Sequence, residues 1–264
     1  MKKWLFVFLS CLISITEMGI FGQIDASQGT GKILGKVSLN TPAPALPEVV
    51  ADKTLHICGE TVTDPILMVQ EGGVKGAVIW IEWKGESYTT GKPRASVSLK
   101  SQNCLFHPRI QATQVGAFLH LNSGDETAHN PHGWWNNEKT VFNITLLNPN
   151  LKFKRKLRWA GTYRVECDTH TWMKSYIFVF KHPFFAVTDE KGNFTLKDVP
   201  VGTHTLHVWH EILGEQTATV VVTLGKQTPQ SFEFALADHR RETLKPKTVS
   251  PWPPIQHDSS ESGD

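Results

Sequence analysis

The chain has 264 residues, 40% of them apolar, and this length allows one or two domains that each bury a hydrophobic core. Its 27 lysines and arginines against 25 aspartates and glutamates give a net charge of +2, which argues against a strongly basic nucleic-acid-binding domain. Nine tryptophans and 14 phenylalanines argue against global disorder, because such large apolar side chains need to be buried or used in binding.

The N-terminus has the pattern of a signal peptide. Lys2 and Lys3 precede an apolar run over 4–15, which is too short to span a bilayer. We therefore expect residues 1–22 to direct export to the periplasm or the outside of the cell. Cys11 is an alternative lipid-attachment site, and we expect membrane association only if it is lipidated.

After this segment, short alternating runs broken by Gly, Pro, Asn and Asp predict an all-β chain. A first group of predicted strands covers 32–37, 74–83, 117–122, 141–147, 162–167 and 175–180. A second group covers 184–188, 193–196, 204–209, 217–223 and 231–235. Because the groups meet at 181–183, the sequence predicts one domain over 31–182 and a second over 183–237.

Two other regions are polar. Residues 84–101 are predicted to form a surface excursion between strands, and residues 238–264 a disordered tail that lacks the apolar side chains of a core. Cations alternate along one predicted strand, at Lys152, Lys154, Lys156 and Arg158. They form either a solvated strand face or a docking surface for an acidic redox partner.

One short segment carries the ligands of a metal site. Cys167, His170 and Met173 place a thiolate, an imidazole and a thioether three residues apart, directly after the predicted strand 162–167. Two histidines, one cysteine and a weak axial methionine form the trigonal site of blue-copper electron-transfer centres. His129, about forty residues upstream and just past the strand 117–122, supplies the second imidazole.

The ordered motifs His-Asn, Gly-x-Tyr and Cys-x-x-His-x-x-Met resemble those of the cupredoxins, most closely the amicyanin and plastocyanin group. The resemblance implies a Greek-key β-sandwich over 31–182 that holds one type 1 copper ion. It implies that His129, Cys167 and His170 are the equatorial ligands and Met173 is the axial one. It also implies that the side chain of Asn130 ties the two ligand loops together.

His132 is a rival for His129, which is preferred because an asparagine follows it. His132 is otherwise a group beside the site or a surface histidine. The alternative to a metal site is that Cys167 is an inert buried thiol. One cysteine in the ligand loop excludes a dinuclear thiolate-bridged centre, and the lack of a His-Cys-His tripeptide leaves no obvious trinuclear cluster. We therefore expect no enzymatic activity.

The two remaining cysteines outside the signal segment, Cys58 and Cys104, are predicted to form a disulfide, since an even pair in an oxidising compartment usually bridges. The alternative is a metal site that they share with His56 and His107.

The segment 183–237 resembles the prealbumin-like sandwich known as the carboxypeptidase regulatory-like domain, through its Val-Pro-Val-Gly-Thr run at 199–203. We expect no peptidase activity, because the chain has no His-Glu-x-x-His motif. In the strand 204–209 and just beyond it, His204 and His210 are predicted on one face and His207 on the other, so the three cannot share a metal ion.

Together these features predict a one-electron carrier that exchanges electrons with a redox protein such as a c-type cytochrome or a dehydrogenase. One alternative is a copper-binding or storage protein without a redox partner. Another is a non-metal adhesive or carbohydrate-binding module, in which Trp134, Trp135 and Trp252 would matter. Trp134 and Trp135 would otherwise form an apolar contact patch near the copper or pack in the core.

Overall fold

The computed structural model of the chain describes residues 29–51, 55–84, 88, 95–237, 240, 241 and 244. These residues form an all-β protein with one short helix, which confirms the predicted fold class. The predicted signal segment 1–22 lies outside the described residues. No helix within the described part of the chain is long and apolar enough to span a membrane.

The elements follow one another closely along the chain. The helix α1 covers Leu55–Cys58. The strands are β1 Thr30–Leu39, β2 Glu48–Val50, β3 Thr61–Thr63, β4 Val69–Gln70, β5 Gly73–Val74, β6 Val78–Ile81, β7 Val97–Gln102, β8 Leu105–His107, β9 Ile110–Gln114, β10 Phe118–Ser123, β11 Pro131–Trp135, β12 Lys139–Asn143, β13 Lys152–Lys156, β14 Gly161–Cys167, β15 Lys174–Phe180, β16 Phe185–Val187, β17 Asn193–Pro200, β18 Gly202–His210, β19 Gly214–Val222, β20 Gln227–Pro229 and β21 Phe232–Phe234.

A first hydrophobic core joins the first described strand, β1, to the strands near the C-terminal end of the described residues. Strand β1 pairs with β17 in antiparallel fashion and with β20 and β21 in parallel fashion, and β6 lies between β16 and β18. Ile33 of β1, Ile79 of β6 and Val208 of β18 are all fully buried in this core. The strands of 30–39 and 78–81 therefore pack with the second predicted group, although the sequence places them in the first.

The pairing differs from the predicted boundary at 31–182 because strand alternation shows which residues face inward but not which strand lies alongside. The core also reaches into the predicted tail, where Leu244 is buried against it. The buried leucine stands alone in a polar and basic stretch, so composition did not reveal it.

A second core contains the predicted ligand segment. Its two sheets have the strand orders β13-β10-β7-β8 and β12-β11-β14-β15-β9. Leu119 and Leu121 of β10 face Val165 of β14 and Ile177 of β15 in one buried cluster. All but the last residue of strand β7 falls within the predicted surface excursion 84–101, and that prediction is wrong there, since Leu99 is only 1% exposed. Residues 96–100 do alternate polar side chains with Val97 and Leu99, but only these two apolar residues carry the strand pattern, and they follow a polar stretch that contains Gly and Pro.

Strand β15 packs on both faces and joins the two cores. Ile177 and Val179 point into the second core. At the alternate positions, Tyr176, Phe178 and Phe180 point to the opposite face of the sheet. The ring of Phe178 lies 4.8 Å from that of Trp209 and 6.1 Å from that of Trp80, measured between centroids, and both tryptophans belong to the first-core sheet. Aromatic packing of this kind makes the two sheets one continuous apolar structure.

An ion cluster reinforces the same junction. Arg109, just before β9, binds the carboxylate of Glu211 through two nitrogens and that of Asp64 at 2.6 Å. The three side chains are no more than 13% exposed. Glu211 belongs to the turn between β18 and β19, so the cluster connects the ligand-bearing sheet to the first core.

His182 provides a test of the packing between the two cores. Its ring lies 5.4 Å from that of Phe180 and 5.7 Å from that of Phe184, and its Nδ1 accepts the Phe184 N–H at 3.2 Å. Burial lowers the pKa of His182 from 6.5 to about 4.

We expect His182 to weaken the protein in acid. The unfolded chain binds the proton at a higher pH than the folded one, so the free energy of unfolding falls as the pH drops from 6.5 to about 4, by up to about 3 kcal/mol for this group. His182→Asn keeps an acceptor near Nδ1 and removes the titration. Urea unfolding at several pH values should give a flatter profile for the variant, and identical profiles would contradict this account.

Candidate metal centre

His129 is held at the end of the loop that follows β10. Its backbone forms an isolated bridge to Leu146, with the His129 N–H donating at 3.0 Å and its carbonyl accepting at 2.8 Å. The imidazole is completely buried. The backbone bridge thus fixes the position from which this ring enters the second core.

The second ligand loop begins where β14 ends. Cys167 is the last residue of β14, and its N–H donates to the Met173 carbonyl at 3.2 Å. The Met173 N–H in turn donates to the His170 carbonyl at 2.9 Å. These two bonds close a tight loop that presents the side chains of Cys167 and His170 on the same side as His129.

The three side chains meet. The Nδ1 atoms of His129 and His170 are 3.1 Å apart, and the Cys167 Sγ lies 3.6 Å from the His170 Nδ1. All three donor atoms lie within 4.8 Å of one another. Two nitrogens that each bind one metal ion at 2.0–2.1 Å are separated by about 3.3 Å at a tetrahedral angle. The arrangement therefore fits a single soft or borderline metal ion.

The electrostatics favour the form of Cys167 that binds metal. Burial alone would raise the pKa of this thiol, but hydrogen bonds from His129, from His170 and from the Asn130 N–H lower the pKa to about 6. The Asn130 N–H lies 3.3 Å from the sulfur. Since the thiolate is the metal ligand, the protein supplies it near neutral pH without a strong base.

Asp125 orients the first imidazole. Its Oδ2 accepts the Nε2–H of His129 at 2.9 Å, and this bond directs the other ring nitrogen, Nδ1, toward Cys167 and His170. Burial opposes ionisation of Asp125, but the bonds from His129 and from two backbone N–H groups lower the pKa of the carboxyl. Sequence reasoning assigned Asp125 no role, and the signal for it is an acid four residues before the ligand histidine.

Met173 and Asn130 lie beside the cluster. Met173 is completely buried in the second core, in the same apolar cluster as Cys167 and Trp172. Asn130 ties the two loops through its main chain, because its N–H donates to the Cys167 sulfur and its carbonyl accepts the Asp168 N–H at 3.0 Å. Its side-chain amide donates instead to Thr145 at 2.9 Å, which differs from the side-chain role implied by the resemblance.

His132, the rival ligand, points elsewhere. Its Nδ1 lies 3.2 Å from the Asp168 carboxylate and its Nε2 lies 3.1 Å from the Thr140 hydroxyl. The ring stacks on Trp134 with 3.7 Å between centroids. His132 is therefore a partly exposed group beside the ligand loop, held by polar partners that are not metal ligands in this cluster.

The remaining cysteines form the predicted disulfide. Cys58 and Cys104 are bonded, with their Cα atoms 5.5 Å apart, which confirms the pairing and leaves no thiolate for a metal site with His56 and His107. Cys104 also lies near Asp125 and His129, but its bonded sulfur is no ligand there.

The histidines of β18 alternate as the sequence predicts. His204 and His210 are buried, whereas His207 faces the other way and stacks on Trp80 at 5.0 Å between centroids. They form no common site.

The tryptophans of β11 make structural contacts. Trp135 donates its indole N–H to the Ala160 carbonyl at 2.9 Å, and the guanidinium of Arg164 lies 4.4 Å from the ring of Trp134. Trp252 lies outside the described residues.

No protein-family model matches the chain, and no curated protein matches it. Among solved structures it is similar to a purple cupredoxin from Nitrosopumilus maritimus, with 19% identity, a TM-score of 0.29 and coverage of 32% of this chain and 100% of that one. It is similar to an amicyanin from Paracoccus versutus, with 15% identity, a TM-score of 0.29 and coverage of 39% and 97%. It is also similar to a copper-containing nitrite reductase from Thermus scotoductus, with 16% identity, a TM-score of 0.28 and coverage of 33% and 22%.

These neighbours are cupredoxins at low identity and partial coverage. The chain spans about a fifth of the nitrite reductase. None of the three is a carboxypeptidase regulatory-like domain, so that resemblance of 183–237 stays a prediction. The case for a metal centre therefore rests on the side chains themselves.

Proposed function

We propose that the protein binds one copper ion as a type 1 centre and carries single electrons. The observation that carries this proposal is the buried convergence of His129, Cys167 and His170, whose donor atoms lie within 4.8 Å of one another. Two imidazoles and one thiolate, with Met173 following in the same loop, are the ligand set of blue-copper sites. A bound copper ion would supply a one-electron redox couple.

The chain's own residues hold this ligand set in one geometry. The Asp125 carboxylate fixes the ring orientation and tautomer of His129, and the Leu146 bridge fixes its backbone. The Asn130 N–H stabilises charge on the Cys167 sulfur. Because these groups are positioned before any metal binds, little reorganisation is required when the charge of the centre changes by one electron.

The direct test is to add Cu(II) to the purified metal-free protein. We expect one equivalent to produce an intense visible absorption and the narrow copper hyperfine splitting of a thiolate-bound centre in the EPR spectrum. Reversible voltammetry should then detect a one-electron couple. A protein that stays colourless with stoichiometric Cu(II) bound would overturn the proposal.

A storage or copper-binding role without a redox partner is the second candidate, and the burial of the ligands favours it. His129 and His170 are both 0% exposed, so within the described structure no ligand ring reaches the surface. Tight Cu(I) uptake with negligible electron exchange with a small c-type cytochrome would support storage. Rapid exchange with that cytochrome would support the carrier.

A redox partner with an acidic surface would suit strand β13. This strand lies at the edge of its sheet, and Lys152, Lys154 and Lys156 are exposed, as is Arg158 just beyond it. Complementary charge on a partner would speed encounter more than it tightens binding. The proposal also holds that the protein is exported to the periplasm or to the outside of the cell. It further holds that the protein has no catalytic activity.

A further inference from the structure

The turn between β7 and β8 has an unusual backbone. Asn103 and Cys104 form its two central residues and have φ angles of 52° and 55°. A two-residue hairpin turn requires this left-handed conformation, and asparagine adopts it readily, but a cysteine rarely does, so contacts at Cys104 have to maintain it. One of these is covalent, because Cys104 is bonded to Cys58 at the end of α1.

The turn is connected to the first ligand loop. The Asn103 N–H donates to Oδ1 of Asp125 at 2.7 Å, and the Cys104 N–H donates to its Oδ2 at 3.0 Å. The same Oδ2 accepts the Nε2–H of His129 at 2.9 Å. The position of the turn therefore determines where the carboxylate lies, and the carboxylate determines the orientation of the His129 ring.

The turn is also connected to the second ligand loop. The carbonyl of Cys104 accepts the indole N–H of Trp172 at 2.9 Å. Trp172 lies between His170 and Met173 in the sequence, and its ring is 5.2 Å from that of His170 between centroids. Cys104 thus reaches both loops with its own backbone groups, its N–H through Asp125 of the first loop and its carbonyl through Trp172 of the second.

We propose that the Cys58–Cys104 disulfide is a positioning element of the metal centre, in addition to any effect on overall stability. By holding the Asn103-Cys104 turn in its left-handed conformation, it keeps Asp125 and Trp172 in place and so sets the geometry of the ligands on both loops. This inference rests on the proposed metal site. It makes metal affinity depend on a covalent bond that contains none of the ligands.

The test compares metal affinity with and without the bond. Co(II) is the first probe, because its thiolate and ligand-field bands report both affinity and geometry, and Cu(I) affinity follows by competition with a coloured chelator. In Cys58→Ala/Cys104→Ala we expect affinity to fall by about 10–100-fold, as for other groups that orient ligands, and the Co(II) bands to shift. Unchanged affinity and bands would overturn the proposal.

Leu119→Ala is the matched control for lost stability. Leu119 is buried in the same core on β10, and truncating it destabilises the fold without touching the turn. Each protein is measured well below its own unfolding transition. We expect the control to lose thermal stability and keep wild-type affinity. If the control loses affinity as the disulfide variant does, the effect is general destabilisation and the proposal fails.

A double-mutant measurement tests the connection from Cys104 through Trp172 to the second ligand loop. Trp172→Phe keeps a ring beside His170 and removes the N–H that bonds Cys104. We expect it to weaken Co(II) binding when the disulfide is present and to have little further effect when it is absent, because both changes release the same contact. Fully additive effects would overturn the proposal. The single variant retains the disulfide, so a weakened affinity supports the route even if the double variant fails to fold.

The outcomes separate this inference from the proposed function. Co(II) and Cu(I) affinities are measurable whether or not the Cu(II) protein is blue. A colourless Cu(II) protein whose Co(II) affinity depends on the disulfide would overturn the electron-carrier proposal and support the inference. A blue protein whose metal affinity and spectrum do not depend on the disulfide would support the electron-carrier proposal and overturn the inference.

Discussion

Cys167→Ser abolishes the intense visible absorption of the copper-loaded protein while the chain stays folded. The absorption of a type 1 centre arises from the copper–thiolate bond, and a serine hydroxyl does not ionise near neutral pH to replace it. The side chain is 2% exposed and serine is slightly smaller, so the substitution leaves the packing nearly intact. We expect copper affinity to fall by more than the roughly 10–100-fold loss typical of a residue that only orients a ligand.

His132→Ala is the control for this experiment. His132 is the nearby histidine that faces Asp168 and Thr140, outside the donor cluster. Absorption and EPR spectra of this variant should match those of the wild type. Persistence of the absorption in Cys167→Ser, or its loss in His132→Ala, would show that the ligand assignment is wrong.

Arg109→Met lowers the free energy of unfolding by about 3–5 kcal/mol, the usual cost of removing one partner from a buried ion cluster. The methionine fills much of the same volume, but Glu211 and Asp64 lose the guanidinium that binds both. Their carboxylates then stay buried at the junction of the two cores without a cation. Urea unfolding at neutral pH measures the change.

Lys191→Met is the matched control for Arg109→Met. Lys191 pairs with Glu71 at 2.9 Å, and both side chains are more than half exposed. Solvent screens such pairs, so we expect a change of about 0–1 kcal/mol. Equal losses for the two variants would show that the cluster at Arg109 does not stabilise the junction. The absorption of the copper-loaded protein should be unaffected in both.

The ligand segment could be predicted because its chemistry is local. Cys167, His170 and Met173 lie in one loop at three-residue spacing, and their residue types indicate a soft metal before any fold is known. His129 required the further expectation that the ends of two strands meet, and the structure brings its Nδ1 to 3.1 Å from that of His170. The disulfide could be predicted because Cys58 and Cys104 are the two cysteines outside the ligand loop and the signal segment.

The groups that orient the ligands could not be predicted in the same way. Asp125 acts through contacts with a turn about twenty residues upstream, and its residue type is common in loops. The resemblance implies that the side chain of Asn130 connects the two ligand loops. In the structure that side chain bonds Thr145, and the main chain of Asn130 connects the loops instead. Hydrogen bonds to backbone groups leave little trace in residue type, since every residue except proline offers the same donor.

The sequence by itself determined that the chain is all-β and which residue types could bind a soft metal ion, because alternation and ligand spacing are properties of neighbouring residues. Only the tertiary structure decided that strand β1 closes the core of the C-terminal strands, and that Arg109 connects that core to the ligand-bearing sheet. It also decided that a turn at Cys104 reaches both ligand loops. Pairing between distant segments depends on the packing of the whole chain, which no local pattern records.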